Sequence, residues 1–133
     1  MNDTIEQLIF WLPWPPTINS YWKPIRGGIY LSSKGRKYRQ MVEESMREQM
    51  PGVSIDERVM VEVTLFPPDA KTRDVDNYNK GVLDALTHCE FWSDDSLVDQ
   101  LFVYRGEVTK GGIVRVEVNA AGPIITLKMA RKM

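Results

Sequence analysis

A single cysteine and a single histidine among 133 residues remove two broad classes at once. Cys89 alone cannot build a disulfide framework, and with His88 as the lone histidine the usual zinc sets are out of reach. His88 and Cys89 are better explained as a helix end and a small core residue than as a catalytic dyad. No run approaches the roughly 20 apolar residues of a membrane span, so no membrane contact is expected. Asp3 and Glu6 ahead of the first apolar run do not suit a secretory leader, and a cytoplasmic location is expected. Repeats and low-complexity tracts are absent as well. What is present is ordinary for one globular domain over residues 1–133: 43% hydrophobic and 26% charged residues, at a length that buries about two thirds of the unfolded surface.

The net charge of −1 names no partner, but its distribution is uneven. From Lys23 to Arg39 the chain carries Lys23, Arg26, Lys34, Arg36, Lys37 and Arg39 and no acid, whereas acids gather at 43–62 and 69–99. Separate basic and acidic surfaces suit a protein that grips a polyanion with one and holds cations with the other. A solvated basic loop and helix start is the plainer account of the basic stretch.

Periodicity predicts a short strand in "LIFWLPWPP" (8–16), stopped by its prolines, then a loop or loose hairpin turning at Gly27-Gly28. A helix capped by Ser32 or Ser33 runs to about Met50, with Tyr38, Met41, Val42 and Met46 on one face. Strict alternation makes 59–66 a half-buried strand, with Val61, Val63 and Leu65 on one side and Glu62 and Thr64 on the other. A second helix is expected from about Asp74 to His88. "TKGG", between "LVDQLFVYRGEV" and "IVRVEVNA", signals a hairpin. The tail after Asn119 suits an edge strand or a mobile end. The order predicts an α+β domain, a small mixed sheet with two main helices packed on it.

Within the second helix, Val75, Tyr78, Val82 and Leu86 make an apolar stripe. Asp76 and Lys80 fall four apart on the other side, with Asn77 beside them and Asp74 at the first turn. Asp94 and Asp95 precede the next strand, so Asp74, Asp76 and Asp95 could converge. Asp74 as a helix cap, Asp76 paired with Lys80 and "SDDS" as a turn would account for the same letters. Capping needs one side chain, however, and carboxylates brought together repel unless a cation lies between them. An all-oxygen donor set suits Mg²⁺, which takes one or two carboxylates plus water and phosphate. Such an ion lowers the pKa of water and neutralises charge on a phosphoryl oxygen, and a nearby lysine adds to that charge.

"LPWPP" with Asn19 after it, "RDVDN" followed by Lys80, "LDALT", "FWSDDS" and "VTKGG" occur in the order found in RusA-type Holliday junction resolvases, which this chain resembles over about residues 8–118. The resemblance implies a homodimeric, Mg²⁺-dependent endonuclease (Mn²⁺ substituting), bacterial or phage-encoded and often carried by prophages. It would resolve four-way DNA junctions by paired nicks in recombination and repair, leaving 5′-phosphate ends. The catalytic carboxylates would be Asp74, Asp76 and Asp95, with Asp94 a supporting metal ligand, Lys80 the catalytic lysine and Asn77 the active-site asparagine. The tail 119–133 lies outside the resemblance. DNA contacts are expected from Asn19, Lys23, Arg26, Lys34, Arg36, Lys37, Arg39, Lys71 and Arg73. Tyr21 and Trp22 would either stack on unpaired bases or pack on the core. The first strand and the strands around "TKGG" are candidates for the dimer interface. A flap or fork nuclease, or a branched-DNA-binding protein without catalysis, is the alternative.

Overall fold

The computed structural model describes residues 6–133, so Asp3 and the leader expectation tied to it lie outside the described residues. A four-stranded mixed sheet carries the fold, in the order β1-β6-β4-β5. Its strands are β1 (Leu8–Pro13), β4 (Val59–Phe66), β5 (Val98–Arg105) and β6 (Ile113–Ala120). A separate hairpin pairs β2 (Trp22–Ile25) with β3 (Gly28–Leu31). Helices α2 (Ser33–Gln49) and α3 (Asn79–His88) pack on each other, and the short α1 (Ile18–Tyr21) packs on α2. The two main helices and the mixed sheet are as the residue pattern predicts.

β4 shows why the sheet has two unlike faces. Val59, Val61, Val63 and Leu65 are buried and alternate with half-buried Met60, Glu62, Thr64 and Phe66. The first set joins Val114, Val116 and Val118 of β6, Phe10 and Leu12 of β1, and Val42, Val82 and Leu86 of the helices in one core. Burying a Val- or Leu-sized side chain contributes about 1.5–3 kcal/mol. Ser32 begins α2 by accepting the Gly35 N–H at 3.0 Å. Tyr21 is fully buried between α2 and α3, where a Cβ on Gly35 or Gly81 would stand 2.6 Å or 2.9 Å from it. Of the two readings for Tyr21, core packing is therefore the observed one; Trp22 is partly buried against its ring, 4.3 Å between centroids.

Two expectations fail on non-local grounds. β5 and β6 are not hairpin partners: β5 runs parallel to β4, while β6 runs antiparallel on β4's other side. The "TKGG" turn does form, with the Gly112 N–H donating to Thr109 O at 2.8 Å and Gly111 and Gly112 at φ +83 and +69. It closes a crossing instead of a hairpin. The Gly106 N–H donates to Leu65 O at 2.7 Å and the Thr109 N–H to Pro67 O at 2.8 Å, so the chain passes over the end of β4. Only glycine fits at 106, since a Cβ there would lie 2.5 Å from the Phe66 ring.

The second helix also begins later than its pattern predicts. Val75–Asn77 form a 3-10 turn, Tyr78 departs from helical geometry at φ −124 and ψ −27, and α3 starts at Asn79. The tail closes in a one-turn helix, α4 (Leu127–Ala130). Among the described residues no helix is long and apolar enough to cross a membrane.

Candidate active site

The break at Tyr78 has a visible cause. Tyr78 is buried with its ring 4.9 Å from that of Trp14, and the Arg73 guanidinium lies over the same indole at 5.8 Å. Arg73 also pairs with Asp69 at 2.8 Å and donates to the carbonyls of Asp69 and Lys71, which holds the Asp69 carboxyl below its usual range. Arg105 donates to Arg73 O at 2.8 Å. Trp14 thus anchors both residues that bracket Asp74–Asn77, and the segment is pinned at each end. Its role was not legible beforehand, since the only signal was a tryptophan flanked by prolines.

The second acidic segment is anchored in the same way. Phe91 and Trp92 of "FWSDDS" are buried, and the Trp92 indole N–H donates to the Thr87 hydroxyl at 2.8 Å. Thr87 closes "LDALT", so these two motifs meet in one contact. Beyond them a 3-10 turn, Asp95–Leu97, leads into β5 and packs near α3, while the Val75–Asn77 turn packs near β5.

The aspartates now separate by what they touch. Asp94 accepts the Ser96 N–H at 3.2 Å and so caps its own turn; the Ser96 side chain first, and then that N–H, holds its carboxyl below the usual range. Asp69 is held by Arg73 and Asp99 by Arg58 at 2.7 Å. Asp84 takes Arg39 through two bonds, at 2.8 and 3.1 Å, and the Tyr21 hydroxyl. Burial first, and then Asp84, pushes the Tyr21 hydroxyl pKa up. Among the described residues, Asp74, Asp76 and Asp95 have no hydrogen bond or ion pair on their carboxylates. Asp74 stands at the cap position of its turn yet makes no capping bond, so the plainer account of it does not hold. Asp76 and Lys80 do not pair either, because the break at Tyr78 ends the helical register that would make them neighbours.

The expected convergence on one ion is not observed. Among the described residues no three His, Cys, Asp or Glu side chains stand close enough together to hold one ion, so Asp74, Asp76 and Asp95 do not form a ready-made three-acid cage. The donors still suit a hard cation in kind: all are oxygen, and Mg²⁺ takes one or two carboxylates. Asn79 adds an orphan, since its buried side-chain oxygen has no partner although α3 begins there. A buried acceptor without a donor is costly and marks a place for a water or ion.

The basic residues divide too. Arg39 is committed to Asp84, Arg36 donates to Leu31 O at 2.9 Å, and Arg73 is the anchor described above. Lys23 and Arg26 are exposed on the β2–β3 hairpin, Asn19 on α1, and Lys71 in the loop before the acids. Lys34 and Lys37, on the first turns of α2, join Arg73, Ser20, Tyr38 and Tyr78 around a groove of about 430 Å³. A smaller recess shares Trp14, Arg73 and Tyr78 with that groove and adds Asp74 and Val75 to its wall. A cationic groove therefore opens beside a recess that holds the unpartnered Asp74, an arrangement that suits a phosphate polymer.

Comparison with known proteins supports that class. The profile of the family described as Endodeoxyribonuclease RusA matches residues 13–120. A protein of Enterobacteria phage HK97 named crossover junction endodeoxyribonuclease rusA is 37% identical over 109 residues, covering 82% of this chain and 91% of its own. Proteins named crossover junction endodeoxyribonuclease RusA from Shigella sonnei (strain Ss046) and Escherichia coli (strain K12) are each 35% identical over 111 residues, covering 84% of this chain and 92% of theirs. The chain belongs to the RusA endodeoxyribonuclease family.

Proposed function

We propose that this chain is a Mg²⁺-dependent endonuclease that resolves four-way DNA junctions by paired, symmetric nicks. One observation supports this beyond kinship. In the region that the motifs single out, Asp74, Asp76 and Asp95 are the carboxylates left without partners, and Asp74 lines a recess adjoining a groove lined by Lys34, Lys37 and Arg73.

In this reading Asp74, Asp76 and Asp95 would hold one or two cations between them, and Asp94 supports the turn that presents Asp95. A bound Mg²⁺, or Mn²⁺ in its place, supplies Lewis-acid charge at the phosphoryl oxygen and lowers the pKa of the attacking water. Lys80 places positive charge where the phosphate accumulates negative charge, worth several kcal/mol when aimed from a fixed element. Asn77 and the orphaned oxygen of Asn79 orient the water or the ligand. Lys34 and Lys37 take the DNA backbone in the groove, with Lys23, Arg26 and Lys71 extending the grip. Cutting two opposed strands requires two such sites facing the same way, which an isologous C₂ dimer supplies.

The test is a synthetic four-way junction incubated with Mg²⁺, with a chelator, and beside flap and plain duplex substrates. Symmetric nicks in the junction alone, lost with the chelator, are expected. Equal cutting of plain duplex, or no cutting of any branched substrate, would overturn the proposal. Lys34→Ala and Lys37→Ala should each reduce the salt slope of junction binding by about 1, as one phosphate contact is lost.

A further inference from the structure

Among the described residues the β2–β3 hairpin pairs with no other strand and stands apart from the four-stranded sheet. A two-stranded hairpin is marginal by itself, so what holds this one is its base. There the Ser32 N–H donates to Tyr21 O at 3.0 Å, and the Ser32 hydroxyl donates to the same oxygen at 2.9 Å. Arg36 Nη1 donates to Leu31 O at 2.9 Å, and Leu31 lies so close to α2 that a Cβ on Gly35 would stand 2.7 Å from its Cδ1. Beyond this anchored base all of residues 23–30 are exposed. An arm that only meets water has no use for apolar side chains, yet Ile25, Ile29 and Tyr30 are 52%, 68% and 45% exposed. The register sets Lys23 opposite Tyr30 and Pro24 opposite Ile29. Side chains alternate, so Pro24 and Ile29 continue the face that Trp22 and Leu31 bury at the base, while Lys23, Ile25 and Tyr30 share the other. Arg26 and Gly27, the latter at φ +87, close the tip.

We infer that this arm is a wedge for unstacked bases: Ile29 and Tyr30 enter the base stack at the branch point of the DNA, while Lys23 and Arg26 hold phosphates beside it. Charge and position select the occupant. No acid lies between Lys23 and Arg39, so nothing on the arm repels a polyanion. β3 also leads directly into α2, whose first turns give Lys34 and Lys37 to the groove, so a backbone held in the groove is carried toward the arm. Apolar side chains insert between base steps, and aromatic rings stack on bases of any sequence. Opening the stack is costly inside a continuous duplex and cheapest where it is already broken, as at a branch point. The arm therefore favours branched DNA over plain duplex by shape, without reading a base edge. The inference rests on the proposed function for the identity of the substrate, and deepens it by naming the element that selects branched DNA.

Binding measured with a chelator present tests the wedge independently of cutting. The full chain is titrated into a four-way junction carrying 2-aminopurine, whose fluorescence rises on unstacking, at the branch point, and into a plain duplex with the same label. A rise is expected on the junction. Ile29→Ser combined with Tyr30→Ala should abolish it and weaken junction binding about tenfold or more, the scale of one lost stacked base, with duplex binding changed less than about twofold. Both side chains are exposed, so the double variant should keep the parent's circular dichroism and melting temperature. Tyr30→Phe, which keeps the ring, should keep the rise, and Lys23→Ala should keep it while lowering the salt slope by about 1. A parent that binds without a rise, a double variant that retains it, or equal losses on junction and duplex would overturn the wedge. So would a double variant that sediments differently from the parent, since the arm would then be a contact between copies. A parent that unstacks the branch point yet cuts no junction in Mg²⁺ would overturn the proposed function and leave the wedge standing.

Discussion

The closed and open sides of this molecule use the same kinds of residue for opposite purposes. On the closed side polar groups are spent on one another: Gln49 seals β1, and Asp84, Arg39 and Tyr21 bind α1, α2 and α3 together. On the open side, around β5 and the two 3-10 turns, three aspartates lack partners and an apolar strand edge lies bare. Satisfied polar groups hold a fold, whereas unsatisfied ones are available to substrate, ion or partner. The contrast predicts that substitutions on the open side change function without stability, and those on the closed side change stability first.

The largest effect should come from Asp76→Asn on the open side. Junction cutting should fall by about a thousandfold or more, the scale of losing one charge-stabilising group, while junction binding and the melting temperature stay near those of the parent. A variant that still cuts would remove Asp76 from the site; one that melts early would erase the contrast itself. Next comes Asp84→Ala on the closed side. It leaves Arg39 and the Tyr21 hydroxyl without their acceptor and should cost about 2 kcal/mol, discounted because both charged side chains keep about a quarter of their exposure. Chemical denaturation measures it, and an unchanged midpoint would show that the network is not what holds the helices.

Gly81→Ala sharpens the point. Alanine normally gains up to about 1 kcal/mol over glycine inside a helix, but here its Cβ would meet the Tyr21 ring at 2.9 Å, and overpacking of that kind costs about 1–3 kcal/mol. A net loss of stability is expected, and a gain would mean that Tyr21 has room to move. The smallest effect concerns pH. The Gln7 amide first, then Asn119 and Arg115, hold the Glu117 carboxyl below its ordinary 4.5. A depressed carboxylate contributes stability that is full above its unfolded value and lost as pH falls through the lower folded one. Parent and Gln7→Ala should therefore differ slightly in melting temperature at neutral pH and converge below pH 4.5. Curves that stay parallel into acid would exclude the contact as a source of stability.

Much of this was readable in the residue order because it depends on near neighbours. The alternation in 59–66, the Ser32 cap and the Gly111-Gly112 turn are local events, set by side-chain period, one hydroxyl and left-handed backbone. The spaced motifs likewise pointed to the family. Other features depended on what lay across the fold. An apolar series states that a strand has a buried face without stating its neighbour, so β4 could come between β5 and β6. A basic residue looks the same in sequence whether it meets solvent or a carboxylate, so the commitments of Arg39 to Asp84 and Arg73 to Asp69 and Trp14 appeared only in three dimensions. The residue order by itself determined the elements and the chemistry available; the tertiary structure alone decided which charges are spent within the fold and which remain free, because pairing depends on distances that local sequence does not encode.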